Sequence, residues 1–454
     1  MTSIGSLALL GTAILGSPAP APAQGTQTVA FTNVNVVPMD RDRVLSDQTV
    51  VVRGDRIVTM GPAANVPVPA GATRIDGSGR YLMPGLAELH GHIPGGNTPE
   101  AQIEKVLAYY ALNGVTTVRG MLGHPRHLPY RERANRGEIL SPTIYTTGPS
   151  LNGNSVSSPA VAVAIVTAQK NAGYDMMKIH PGIPREAYDT MAATARRMNI
   201  RFVGHVPAEV GIRRALAAGQ WTIDHVDGYV EGLVWDGTGS PPQGGFFGFN
   251  LVDRVDESRL AGLVAATRAA GTAIVPTQSL FESVLGPHTV DQLAAWPEMR
   301  YWPASVINQW RQSTTNTRQS DAYSPENARR FLELRRRIMQ ALHRAGVPFL
   351  LGSDAPQWWN VPGFSVQREL DAMVAAGFTP YQAYEMGSRN VAEHFGHGDE
   401  FGSVTVGKRA DLVLLEANPL ESVANWSRRA GVLLRGKWYD RAEIQRRLEE
   451  LNRD

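Results

Sequence analysis

The stretch PGLAELHGH, Pro84 to His92, joins a run of mostly apolar residues to two histidines separated by one glycine. Its apolar part predicts a buried strand. At i and i+2 of an extended strand both imidazoles leave the same face, and the glycine between them is expected to leave room for an ion beside the backbone. A buried strand that ends in two convergent imidazoles directs attention to the other strand ends along the chain.

Seven further apolar runs alternate with stretches of helical spacing: VTTVRGM (Val115 to Met121), TIYTTGP (Thr143 to Pro149), DMMKIHP (Asp175 to Pro181), RFVGHVP (Arg201 to Pro207), TIDHVDG (Thr222 to Gly228), AIVPTQS (Ala273 to Ser279) and FLLGSDA (Phe349 to Ala355). With Leu86 to His92 they make eight strand candidates, and segments such as PREAYDTMAATARRMN carry the helical periodicity between them. Eight βα units predict an α/β fold of the (β/α)8 TIM-barrel type; a doubly wound open sheet is the alternative. Thr28 to Leu82 and the segments GSVTVGKRADLVLLEANPL and AGVLLRGKWYD read instead as short β runs punctuated by Gly, Pro and Asp. The expected division is therefore a small β-sandwich domain built from residues 24–82 and 402–454, enclosing a barrel over 83–401.

At the start, an apolar run from Leu7 to Leu15 leads through a Pro/Ala linker to Ala21-Pro22-Ala23, which predicts a signal peptide over residues 1–23 and a periplasmic or secreted protein. A flexible arm is the alternative reading. No other stretch reaches the roughly 18 apolar residues of a membrane span. The chain has 454 residues, 43% hydrophobic and 19% charged, with net charge +2 and no basic block, so a nucleic-acid partner is not expected. Cysteine is absent, which removes disulfides and thiolate metal sites and leaves His, Asp, Glu or a modified residue to hold any metal.

Polar residues mark the ends of these strands: His90 and His92, Lys178, His205, His225 and Asp354. A single buried histidine is more often a hydrogen-bonded core residue than a ligand, but four of them at strand ends point to a metal. Lys178 is the most unusual, because burial disfavours its charged form. Neutral lysine combines with carbon dioxide to give a carbamate, which is carboxylate-like and can bridge two cations; the alternative is a salt bridge to Asp227 or Asp354. Asp354 could touch a metal and accept a proton, or cap the following helix. Asp224, by strand alternation, is expected on the other face, orienting neighbours or pairing with a helix.

These motifs resemble the amidohydrolase superfamily of metal-dependent hydrolases. PGLAELHGH is similar to its Pro-Gly-Leu…His-x-His signature, GVTTVRGM to its second strand, GSDAP to its strand-eight aspartate motif, and Gly402 to Leu412 to its closing segment. The resemblance implies a barrel with a β-sandwich from both termini and a one- or two-metal site. The pattern of Lys178, His205 and His225 looks most like the branch of imidazolonepropionase-related proteins and dipeptidases acting on Xaa-Pro or Xaa-Arg/Lys bonds. Carried over, His90, His92 and Asp354 hold one metal, His205 and His225 the other, and carboxylated Lys178 bridges them. Imidazolonepropionase itself and the deaminases use one metal and lack that lysine, so Lys178 argues against both. The chain departs from the family at strand two, where Gly120 follows Arg119 in place of an acidic residue.

The expected chemistry is hydrolysis of an amide in a dipeptide or N-acyl amino acid by a hydroxide bridging two divalent ions, Zn2+ being the first expectation, with Asp354 taking and returning the proton. A lactonase or carbamate hydrolase on the same site and a catalytically silent ligand-binding barrel are the alternatives. The partner is a small-molecule amide, with no membrane and with a homo-oligomer left open. Tyr229, His180 and Arg119 are candidate substrate contacts. Trp358 and Trp359, with Trp296, Tyr301, Trp302, Trp310 and Phe246 to Phe249, either line an apolar mouth or pack loops onto the barrel.

Overall fold

The computed structural model describes residues 27–453, so the expected signal peptide lies outside the described residues. Five strands come first: β1 (Thr28–Val36), β2 (Leu45–Arg53), β3 (Arg56–Pro62), β4 (Thr73–Asp76) and β5 (Tyr81–Pro84). Seven follow between helices: β6 (Leu86–Gly91), β7 (Val115–Gly120), β8 (Thr143–Thr146), β9 (Met176–Ile179), β10 (Arg201–Gly204), β11 (Thr222–Asp224) and β12 (Ala273–Val275). The last three are β13 (Leu412–Leu415), β14 (Arg429–Leu434) and β15 (Lys437–Asp440).

Strands from both ends of the chain make one eight-stranded sheet, in the order β15-β14-β13-β5-β1-β2-β3 with β4 also on β1. The joint is β13, whose Leu412 to Leu415 pair antiparallel with Pro84 to Tyr81 of β5. Phe31, Val50, Leu82, Leu412 and Leu414 share a core of their own there. Only Gly85 separates β5 from β6, so the strand that bears His90, with His92 just past its end, follows directly on this sheet.

The middle strands are parallel, as β6-β7-β8 and β12-β11-β10-β9. Parallel bridges at Thr147–Met176 and Leu151–Ile179 join β8 to β9. On the other side, Ile274 of β12 bridges Phe349, and Leu89 N donates to Leu351 O at 2.9 Å, bringing the 349–351 segment between β12 and β6. Helices cover these strands with one apolar face each. The helix Pro325–Arg344 shows why: Ser324 caps it by accepting from Asn327 N at 3.1 Å, proline occupies the first turn, and Phe331, Leu334, Ile338 and Leu342 turn one stripe inward.

The observed strands are shorter than the sequence predicts at their C-terminal ends. Thr222 to Gly228 pairs only as far as Asp224, Ala273 to Ser279 only as far as Val275, and Phe349 to Ala355 contributes a bridge rather than a strand. The cause is local: His225, Thr277 and Asp354 have φ of 65°, 47° and 67°, a left-handed backbone that no strand can contain. Non-glycine residues held there cost energy, and they collect here where the polar side chains converge.

Candidate active site

At the C-terminal ends of the parallel strands, His90 Nε2 lies 3.3 Å from Lys178 Nζ and 3.5 Å from Asp354 Oδ1. His92, one residue past β6, donates from Nε2 to Asp354 Oδ1 at 2.7 Å. The His225 ring centroid is 4.4 Å from that of His90 and 4.6 Å from that of His205, whose ring stacks in turn on His180 at 5.0 Å. One ligand atom each from His90, His225 and Asp354 lies within 4.8 Å of the others. These three side chains could hold a metal ion.

Groups behind the rings orient them. His90 Nδ1 approaches Asp224 Oδ2 to 2.7 Å, outside hydrogen-bond alignment, and Asp224 also accepts from Arg119 and Thr222. His205 Nδ1 pairs with Asp227 Oδ2 at 3.1 Å, and His225 Nδ1 with Thr277 Oγ1 at 2.8 Å. His225 Nε2 is then buried with no hydrogen-bond partner, which leaves its lone pair available as a metal donor.

Burial, followed by neighbouring positive charge, holds His90, His205 and His225 well below the usual histidine range. The rings are neutral at pH 7, as ligands must be. Burial also lowers the Lys178 ammonium to about 8, against the pull of Asp224 and Asp354. Burial alone would raise Asp224, but Arg119 and Lys178 outweigh it and keep the carboxylate ionised.

Several expectations need correction. Arg119 is wholly buried and its donors are taken by Leu89 O, Thr222 Oγ1 and Asp224, so it braces the strands instead of meeting a substrate carboxylate. Tyr229 is also buried, with its hydroxyl bonded to Thr267 Oγ1 at 2.7 Å. Trp359 packs in the core and donates to Thr314 Oγ1 at 2.9 Å, whereas Trp358 stays half-buried, 5.3 Å from the Phe246 ring. Tyr301 stacks on Phe364 and Trp302 on Trp310, which are loop-packing contacts. Lys178 makes no ion pair with Asp227 or Asp354; its contact is His90. Gly91 leaves no room for an ion, because a Cβ there would meet Val118, Tyr110 and Glu88 within 3.1 Å; the glycine serves packing on the opposite face. His180 stays beside the site, sharing a hydrogen bond with Ser150 Oγ at 2.6 Å.

Glu88, inside the opening motif, is the residue that sequence reasoning passed over. Fully buried, it accepts from His90 N at 2.9 Å, Ser353 N at 2.8 Å and Ser353 Oγ at 2.5 Å, tying β6 to the segment that carries Asp354. Burial pushes its carboxyl up to about 7. An acid within an apolar strand is the same anomaly as Lys178, so its signal was available. Thr277 carried none, and Asp227 entered only as an alternative ion-pair partner of Lys178.

A cavity of about 800 Å³ opens beside His205 and Asp227. It reaches the cluster at its edge, since His90 and Asp354 are not among its walls. Phe247 is: its ring lies 5.8 Å from His205 and 5.2 Å from His225. Among the described residues no helix is long and apolar enough to cross a membrane.

Comparison with known proteins finds the family described as "Amidohydrolase family" over residues 81–439. A curated relative, adenine deaminase 2 of Bradyrhizobium sp., is 24% identical over 88% of this chain and 56% of its own length. An imidazolonepropionase of Arthrobacter sp. is 34% identical over 17% of this chain and 20% of its own. The chain thus spans about half the length of the adenine deaminases it matches. Among solved structures, one described as a prolidase from Bifidobacterium longum has TM-score 0.69 at 24% identity, covering 94% of this chain and 99% of its own. A bottromycin amidohydrolase has TM-score 0.70 at 20% identity, covering 93% and 90%. These neighbours bear on the fold, and imply a TIM barrel with an added β domain.

Proposed function

The chain belongs to the Amidohydrolase family, and from that premise we propose that it hydrolyses a carbon–nitrogen bond, an amide of a dipeptide or N-acyl amino acid, at a divalent-metal centre on the strand ends. The observation that carries this reading is the convergence of His90, His225 and Asp354 within 4.8 Å, with His225 Nε2 buried and unpartnered. The bridges joining β8 to β9, and β12 through 349–351 to β6, support reading the parallel strands as one (β/α)8 barrel with this site at its mouth.

His90, His92 and Asp354 would hold one cation and His205 and His225 a second, Lys178 bridging them as a carbamate; nitrogen and oxygen donors suit Zn2+. Such cations lower the pKa of water and polarise a carbonyl. Lys178 is placed for the modification: burial makes its neutral amine accessible near pH 8, and that amine adds to carbon dioxide with loss of a proton. Asp354 accepts a proton from the attacking water at a carboxylate oxygen and delivers it to the leaving amine. Asp224 and Asp227 back the His90 and His205 rings, and the Phe247 ring packs against His205 and His225. The Leu7 to Leu15 run followed by Ala21-Pro22-Ala23 supports export.

Deamination of an aminopurine is a second reading, favoured by the adenine deaminases matched over most of this chain. One panel separates the readings: purified protein assayed on dipeptides, N-acyl amino acids, lactones and adenine. Chelator-sensitive release of an amino acid is expected. Ammonia from adenine, or turnover of lactones alone, would overturn the amide assignment.

A further inference from the structure

ELRRRIM, Glu333 to Met339, puts three consecutive arginines on the helix Pro325–Arg344, and helical geometry sends them different ways. Arg336 and Arg337 reach Glu282 and Glu257. Arg335 falls on the apolar stripe with Phe331 and Ile338 and is wholly buried. Packing alone would place an apolar residue there, because a buried guanidinium loses hydration that only well-placed acceptors offset. Its acceptors are neutral oxygens: Nη1 donates to His225 O at 2.7 Å, Nη2 to Pro276 O at 3.3 Å and Nε to Gln278 Oε1 at 3.0 Å. Its central carbon lies 3.5 Å from the Phe281 ring centroid, which fixes the plane of the fork.

Both carbonyls stand where a strand breaks off. His225 follows β11 with φ of 65°, and Pro276 follows β12 and precedes Thr277, whose φ is 47°. A left-handed turn takes the chain out of the sheet ladder, and a buried carbonyl there needs a donor from elsewhere. One rigid guanidinium serves both, so it ties the two turns to each other. Those turns carry the His225 ring and the Thr277 hydroxyl that meets its Nδ1 at 2.8 Å. Glu369 anchors the second turn by accepting from Gln278 N and Ser279 N.

We propose that Arg335 is a positioning residue for the metal centre: by bridging the turns after β11 and β12 it fixes the His225 ring, and with it how tightly that ring's cation is held. The inference rests on the metal-centre part of the proposed function.

The test is Zn2+ titration of the metal-free full chain in competition with a chelator, with the thermal midpoint of each metal-free variant measured alongside. His225→Ala identifies, by its loss, the ion that His225 serves. Arg335→Met keeps most of the volume and removes the donors; it is expected to weaken that ion about 10- to 100-fold, the range for groups that orient a ligand. Arg335→Lys keeps the cation without the fork and is expected to weaken it severalfold, which decides the matter should Arg335→Met fail to fold. A lowered thermal midpoint with unchanged Zn2+ affinity in Arg335→Met, or wild-type affinity in Arg335→Lys, would make Arg335 a packing residue and overturn this inference alone. A wild-type chain that binds no Zn2+ would instead overturn the metal-centre reading on which it rests.

Discussion

The two sides of the strand-end cluster are built differently. On the β6 side, His90, Glu88, Ser353 and Asp354 are locked together, with Asp224 and Arg119 filling the space behind. On the β10 side, His205 rests on one carboxylate, Asp227, and beyond it the protein is hollow. The closed side has the rigidity that bond-breaking geometry needs, while the hollow side has room to select a substrate. Under the proposed amide hydrolysis the closed side would carry the chemistry and the hollow side the recognition, with His205 and Phe247 at the boundary.

The largest effect is expected on the closed side. Asp354→Asn keeps the shape but removes the proton acceptor, so kcat should fall roughly a thousandfold with the thermal midpoint little changed; a loss below about tenfold would move the catalytic role elsewhere. Lys178→Ala should lower both metal content and kcat, the latter by about a hundredfold. If metal stoichiometry and rate both survive, Lys178 does not bridge.

Glu88→Ala strips the acceptor from two backbone amides and a hydroxyl, and should cost about 2–4 kcal/mol in denaturant unfolding. Wild-type stability in that variant would mean the closed side is not held by this network. A smaller effect is expected at Glu369, which accepts from Gln278 N and Ser279 N just beyond Thr277, the residue that steadies His225. Burial pushes Glu369 up to about 7, well above the ordinary glutamate value of about 4.5, so its native form binds protons more readily than its unfolded form. Its stabilising contribution is complete below about pH 4.5 and is lost as pH rises through about 7. Glu369→Gln should therefore flatten the stability profile between pH 5 and 8 by about 1–2 kcal/mol, read from denaturation series at each pH; parallel profiles would contradict it.

Much of this was legible in the sequence because strand ends are local. The alternation of apolar runs and helical stretches places His90, Lys178, His205, His225 and Asp354 at corresponding positions of repeated units, and residues so placed meet. What was not legible depends on direction. Arg119, Tyr229 and Trp359 lie near strand ends but turn into the protein, and only tertiary packing decides that. Gly91 shows the same limit: period-two alternation sends it away from the histidines it separates, so its smallness serves the wall behind them. The strands also stop early, because left-handed residues at His225, Thr277 and Asp354 have no mark in hydrophobic pattern. Glu88 was readable, as a lone acid in an apolar strand, but the histidines beside it drew the reading.

The most direct test is metal analysis of the purified protein after incubation with Zn2+ and removal of the excess. A metal centre on these strand ends predicts about two tightly held ions per chain, falling to about one or fewer in Lys178→Ala. Wild-type protein that retains no divalent ion would contradict it.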